Sequence, residues 1–391
     1  MSKYAKGWLM PLYVSLTILA FLQGGWWLSV PVIVTLVTFV VGDWVLPRDM
    51  SEPPLNQTFL LNLPLYSILP LLVVMNMSLF WLLGTGDFIG MGAWMKEHAG
   101  IDMWAARAVS THWAMWVGAI AGAALLNATA GTVCGHELTH RTAKPVDLFL
   151  GRWMLAFTAD TSFAIEHVYG HHVRIGTTSD PATARRGESF YQFTRRSTIF
   201  SYVHAYQLER ARLTKLGKSI WNPLNSPFMM GNLENLSLFV VAYAMAGLTG
   251  LAIWFVVAFI GKQFLELTNY FEHYGLVREP SQPVQPRHSW NSNHWMSSNV
   301  LFSLARHSHH HAEADAPYWT LRAYPNAPML PAGYLSMIII ALFPPLFKRL
   351  MVPALNAWDE TQANPAERAL ARQASVGSGM HGLKIADLAV A

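Results

Sequence analysis

Ten of the sixteen histidines in this 391-residue chain fall in four clusters, HELTH at 136–140, EHVYGHH at 166–172, NYFEHYGL at 269–276 and RHSHHHA at 306–312, and nine of the ten are ligand candidates. Imidazole nitrogen binds iron, zinc and copper. Residues four apart on a helix share a face, so His136 with His140, and His167 with His171, can each aim two nitrogens at one point. His172 lies about 100° round a regular helix from His171 and is expected to turn toward a second metal. His307, His310 and His311 share one face at offsets 0, 3 and 4, while His309 points the other way and is left out. His273 stands alone and owes its candidacy to its neighbours. Nine nitrogen ligands are too many for one ion and suit two, so the pattern points to a dinuclear centre.

Carboxylates flank these clusters. Glu137, Glu166 and Glu272 each adjoin a ligand candidate, and a ligating imidazole commonly donates its other N–H to such a group. Soluble di-iron bundles use two Glu-x-x-His pairs plus further glutamates. Only Glu137 with His140 has that spacing, so the expected site is histidine-dominated, with Glu137 the one acid watched as a direct ligand. HExxH also occurs in zinc proteases, but a single zinc would leave the other histidines without a role. His288 and His294 are rival ligands or outer contacts. His98, His112, His204 and His381 have no clustered partner and read as ordinary polar residues.

The elements that must hold these side chains are apolar. Residues of hydrophobic type make up 52% of the chain and charged ones only 13%, which points to a membrane protein rather than a soluble enzyme. Spans are expected near 8–23, 28–46, 61–84, 106–134, 233–247 and 250–268, with tight glycine turns at 23–25 and 247–250. The run 330–347, bracketed by prolines, reads as interfacial or re-entrant. A helix running from Ala106 through His140 would extend about 50 Å, beyond a hydrocarbon core of roughly 30 Å, so its histidine end should project from the membrane.

Lys3 and Lys6 favour a cytoplasmic N-terminus, and loop 174–218 carries nine Lys/Arg against three acids. The expected architecture is an all-α integral membrane protein of about six helices, with a cytoplasmic helical region holding the metal site. Both termini would lie on the cytoplasmic side of a bacterial inner membrane. Residues 1–352 form one catalytic domain in this reading, and 353–391 a C-terminal tail, poorly ordered from Ser375. The single cysteine, Cys134, excludes internal disulfides and cysteine-ligated clusters.

At HELTH, EHVYGHH, NYFEHYGL, HSWNSNHW and LARHSHHHA the chain resembles the membrane-bound alkane 1-monooxygenases, within the wider histidine-box hydroxylases and desaturases. DPATARRGESFY at 180–191 is similar to a further family segment, and the resemblance covers roughly 130–325. Two positions depart from the family pattern: Arg141 where a lysine is usual, and His309 where an aspartate is usual. The resemblance implies two iron ions, O2, a medium-chain alkane entering from the bilayer, and electrons from rubredoxin, itself served by a rubredoxin reductase. The basic segment, with Arg185 and Arg186, is the expected docking place for that acidic partner. The alternatives are a xylene-type or fatty acyl hydroxylase, a desaturase or, from another class, a metal transporter. A transporter would place its ligands near the bilayer midplane, not beyond helix ends.

Overall fold

The computed structural model describes residues 3–52 and 58–387. It is helical throughout, with one isolated bridge, Asn291 to Met329, in place of any sheet among the described residues. Among the described residues, five helices are long and apolar enough to cross a membrane: Tyr4–Gln23, Gly25–Val45, Thr58–Leu83, Trp113–Thr139 and Pro227–Glu272. The chain divides into two compact units. One comprises Met1–Thr38, Asn56–Thr161 and Trp221–Phe264, and the other Phe39–Leu55, Ser162–Ile220 and Leu265–Ala391.

The first unit holds most of the long apolar helices. Its first turn needs glycine: Gly24 has φ +69°, and a Cβ there would meet the Ala106 carbonyl oxygen at 2.1 Å. The expected helix from Ala106 to His140 is interrupted. It ends at Val109 and restarts at Trp113, because polar side chains compete for the backbone at 110–112. The Ser110 hydroxyl donates to the Ala106 carbonyl at 2.7 Å and accepts the Gly25 amide at 2.8 Å. His112 then caps the new helix by accepting the Ala114 amide. The 27 residues of Trp113–Thr139 therefore run about 40 Å, not about 50 Å.

Pro227–Glu272 is a hairpin rather than one rod. Gly247 adopts φ 59°, ψ −148°, a region that only glycine occupies readily. The rings of Phe239 and Trp254 lie 6.3 Å apart, whereas a straight helix would separate these positions by about 22 Å. The expected spans 233–247 and 250–268 are thus its two arms. In the same unit Gly135 faces Gly151 so closely that a Cβ on either would lie 3.0 Å or less from the other's carbonyl oxygen. That approach seats helix Pro145–Ala156 against the histidine-bearing end of Trp113–Thr139. Ion pairs in this unit include Arg141 with Glu137 (2.7 Å) and Asp147 (3.1 Å), and Lys262 with Asp160 (2.6 Å).

The second unit is built from shorter helices and long connections. Much of the basic segment expected as a loop is the helix Phe190–Lys215, started by a capping box between Ser189 and Gln192. The boundary drawn at 352/353 falls inside helix Pro344–Thr361, and a further helix, Pro365–Ser375, begins with a second capping box at Asn364 and Glu367. Both helices are tied into the unit by buried acids. Asp359 pairs with Arg186 at 2.6 Å, and Glu367 with His288 at 2.7 Å and Arg287 at 2.9 Å. Beyond Ser375, Met380 and Leu383 are buried, against the expectation of a loose end as far as residue 387, while 388–391 lie outside the described residues. The apolar run at 330–347 forms helix Tyr334–Ala341 and the start of Pro344–Thr361.

Candidate metal centre

Seven of the nine candidate histidines belong to the second unit, all of them buried. They come from three places: residues 163–174, the end of Pro227–Glu272 with His273 just after it, and the short helix His307–Ala312. The helical stretch through EHVYGHH is not regular. His167–His171 forms a π turn, which moves the shared face from spacing four to spacing five. Gly170 makes this possible, since a Cβ there would meet Glu166 Oε1 at 2.7 Å and the His204 ring at 2.8 Å.

The consequence is a regrouping. His167 pairs with His172, Nε2 to Nε2 at 2.9 Å, and His172 lies 3.2 Å from His310 Nε2. His171 instead faces His273 at 3.2 Å, His273 faces His307 at 3.1 Å, and His307 faces His311 at 2.9 Å, all between Nε2 atoms. The expected pairing of His167 with His171 is therefore replaced by two sets: His167, His172 and His310, and His171, His273, His307 and His311. The single face assigned to His307, His310 and His311 is likewise shared between the sets. In the first unit the Nε2 atoms of His136 and His140 lie 3.3 Å apart.

These donors fit a metal. A neutral imidazole carries one N–H, and His171 presents Nδ1 to the Asp180 carboxylate at 2.9 Å. Its Nε2 is then a lone pair directed at His273. Burial pushes the pKa values of His273 and His311 well below the usual histidine range, so both rings are neutral. Several lone pairs thus converge in dry surroundings, an arrangement that a cation resolves and that protein donors do not. A carboxylate is at hand too: Glu272 Oε2 lies 3.3 Å from His307 Nε2. Glu272, expected as an outer group, joins His273 and His307 in one set of converging ligand atoms.

The other acids have separate partners. Glu137, watched as a ligand, is the counter-ion of Arg141 and joins no group of converging ligand atoms among the described residues. Glu166 accepts from His204 Nδ1 at 3.1 Å, and Arg174 reaches the same ring, so His204 links an acid beside the site to a cation. Burial raises the Glu166 pKa. His309 is turned away: its Nδ1 accepts the Arg322 amide at 2.7 Å, and its ring lies 4.8 Å from that of Tyr324. His288 is held by Glu367, and His294 bonds to Ser292 at 2.8 Å.

Asp180 was not singled out from the sequence. It lies in the DPATARRGESFY segment, nine residues after His171, and nothing local marks it as that histidine's partner. Arg186, expected at a docking surface, is buried: it bonds both oxygens of Asp359 and the Gly275 carbonyl. Arg185 is exposed.

Burial opposes charge on His171, but the Asp180 carboxylate outweighs it and raises the pKa in the metal-free protein. A raised value contributes stability that is complete below the unfolded pKa of about 6.5 and is lost as pH rises through the folded one. Asp180→Asn should therefore destabilise the metal-free protein more near pH 5.5 than near pH 8.5, in roughly the window about the histidine pKa. It should also weaken metal binding on the order of 10- to 100-fold. Melting curves at the two pH values and metal titration measure both effects. Equal loss at the two pH values would contradict the assignment.

Comparison with known proteins agrees with this construction. The fatty acid desaturase family model matches residues 110–341, more than half of the chain. The alkane 1-monooxygenase 1 of Pseudomonas aeruginosa is 36% identical over 251 residues, covering 63% of this chain and 64% of that relative. The chain thus spans less than two thirds of that protein's length. The alkane 1-monooxygenase 2 of the same organism is 35% identical over 277 residues, 66% of this chain and 68% of the relative. The xylene/toluene monooxygenase hydroxylase component of Pseudomonas putida is 30% identical over 263 residues, 67% and 70% of the two chains. With a buried polyhistidine site, long apolar helices and these matches, the chain belongs to the fatty acid desaturase family, among relatives of the alkane 1-monooxygenases.

Proposed function

We propose that this chain is a non-haem di-iron monooxygenase of the inner membrane that hydroxylates the terminal methyl of medium-chain alkanes. The observation that carries the reading is the division of buried imidazoles into two converging sets, in a chain related to alkane 1-monooxygenases. One set is His171, His273, His307 and His311, with Glu272 beside it. The other is His167, His172 and His310, and in this reading His136 and His140 belong to the same ligand complement. Two irons, when bound, supply the redox capacity to activate O2 against an unactivated C–H bond, which redox-inert zinc does not offer.

The reaction consumes O2, two electrons and two protons, and yields a primary alcohol and water. The chain's own contribution is orientation and exclusion. Asp180 fixes the His171 tautomer, and the burial of all seven imidazoles keeps bulk water from the site. An alkane offers no polar handle, so chain-length selection comes from the shape of an apolar passage, each methylene counting roughly 1–3 kcal/mol. The test is iron analysis of purified protein together with product identification from octane, O2 and a reducing partner. Two irons per chain and 1-octanol support the reading, and iron-free active protein sinks it. The relative that oxidises xylene and toluene favours a second reading, hydroxylation of an aromatic methyl group, and a clear preference for xylene over octane selects it.

Electrons are proposed to come from rubredoxin docking on the cytoplasmic face. With Arg186 internal, the bases available in the segment include Arg185, Arg195, Arg210, Lys215 and Lys218, all exposed. Arg185→Glu should raise the KM for rubredoxin on the order of fivefold at low salt, with the difference shrinking as the Debye length falls. Steady-state kinetics at two ionic strengths measure this. A KM unchanged by the substitution and by salt would leave the charges as a topology signal.

A further inference from the structure

Tyr334 lies 23 residues beyond the last histidine of the clusters, in a segment that local pattern marks only as apolar. The fold buries it to 1% exposure at the first position of helix Tyr334–Ala341. Its hydroxyl donates to Glu272 Oε1 at 2.8 Å, while Glu272 Oε2 lies 3.3 Å from His307 Nε2. A carboxylate on a flexible two-methylene stem is thereby held with one oxygen on the phenol and the other toward the imidazole set.

The phenol is itself held from several directions. Its ring meets that of Phe271 edge-on, with centroids 5.0 Å apart. Its amide donates to Ser297 Oγ at 2.9 Å, and the Ser297 amide donates to Asp43 Oδ1 at 2.9 Å. Gly333, just before it, leaves no room for a Cβ, which would meet Asp43 Oδ2 at 2.2 Å. An oxygen ligand is useful only if its position survives thermal motion, and groups that lock it are what an outer layer provides.

We infer that Tyr334 is a positioning residue for the metal centre: its hydroxyl orients the Glu272 carboxylate as an oxygen donor beside His273 and His307. The inference rests on the metal-binding reading of the site but not on any particular substrate. Its test therefore uses metal alone, cobalt(II) added to the full chain in detergent. Tyr334→Phe removes one oxygen atom and keeps the ring.

The variant should bind cobalt 10- to 100-fold more weakly and show a changed d–d absorption spectrum, the usual size for loss of an outer partner. In the iron-loaded enzyme kcat should fall while the KM for alkane stays within about twofold, since the hydroxyl faces Glu272 and not substrate. Glu272→Asp, which draws the carboxylate back by one methylene, should give a similar cobalt spectrum. The double variant should be no worse than the poorer single one, because both remove the same interaction. A folded Tyr334→Phe protein with wild-type cobalt affinity and spectrum overturns the inference. So does an unchanged spectrum in Glu272→Asp, whatever the fate of the phenylalanine variant. Failure of the wild type to bind cobalt would instead overturn the metal-site reading itself.

Discussion

His273→Ala is expected to abolish the proposed hydroxylation, with a loss larger than the roughly 100-fold upper range for outer-layer partners, and to remove metal from one of the two sets. His273 is the common member of two groups of converging ligand atoms: His171 with His311, and Glu272 with His307. Its ring is completely buried, so water cannot readily take the vacated position. Truncation also leaves a buried cavity facing the rings of His171, His307 and His311. His309→Asp is the matched control, because His309 faces the Arg322 amide and Tyr324. Metal analysis and alcohol yield decide the matter. A His273→Ala protein with full iron and activity, or a His309→Asp protein lacking one iron, would overturn the assignment of ligands.

The second large effect is on stability. Arg186 sits at 4% exposure with its guanidinium bonded to both oxygens of Asp359, at 2.8 Å and 2.6 Å, and to the Gly275 carbonyl at 2.9 Å. Arg186→Met keeps the apolar stem but strands a buried carboxylate. Breaking such a pair from one side costs about 3–5 kcal/mol, most of it the uncompensated charge. The penalty falls near the candidate metal centre, since Gly275 follows His273 by two residues. Unfolding of the variant in detergent should therefore occur at clearly lower temperature, and Asp359→Asn should share the defect. A variant as stable as wild type, with a raised KM for rubredoxin, would return Arg186 to the docking surface.

Much of the architecture is legible from composition and local spacing. Apolar length marks the membrane helices, and Gly247 to Gly250 marks the reversal within Pro227–Glu272, because few residues other than glycine adopt Gly247's backbone angles. The four histidine clusters announce a metal site, since imidazole at helical spacing has few other uses in an apolar chain. The break at Ser110–His112 was less visible: serine, threonine and histidine occur inside helices as well as at their ends, and Gly25, 85 residues away in sequence, supplies the amide that settles it.

What the sequence determined by itself is the chemistry available: nitrogen donors in excess, few acids at ligand spacing, no usable thiol pair, and apolar helices to carry them. Those are properties of residue type and short-range geometry. Which histidine joins which set was decided only by the tertiary structure. The π turn at His167–His171 adds one residue to a single turn, exchanges His171 for His172 and depends on Gly170 packing against Glu166 and His204. Asp180, Glu272 with Tyr334, and Arg186 with Asp359 were beyond sequence reading for a related reason. Each acts through one hydrogen bond or ion pair to a residue whose proximity comes from folding, not from helical spacing, and such partners leave no periodicity to read.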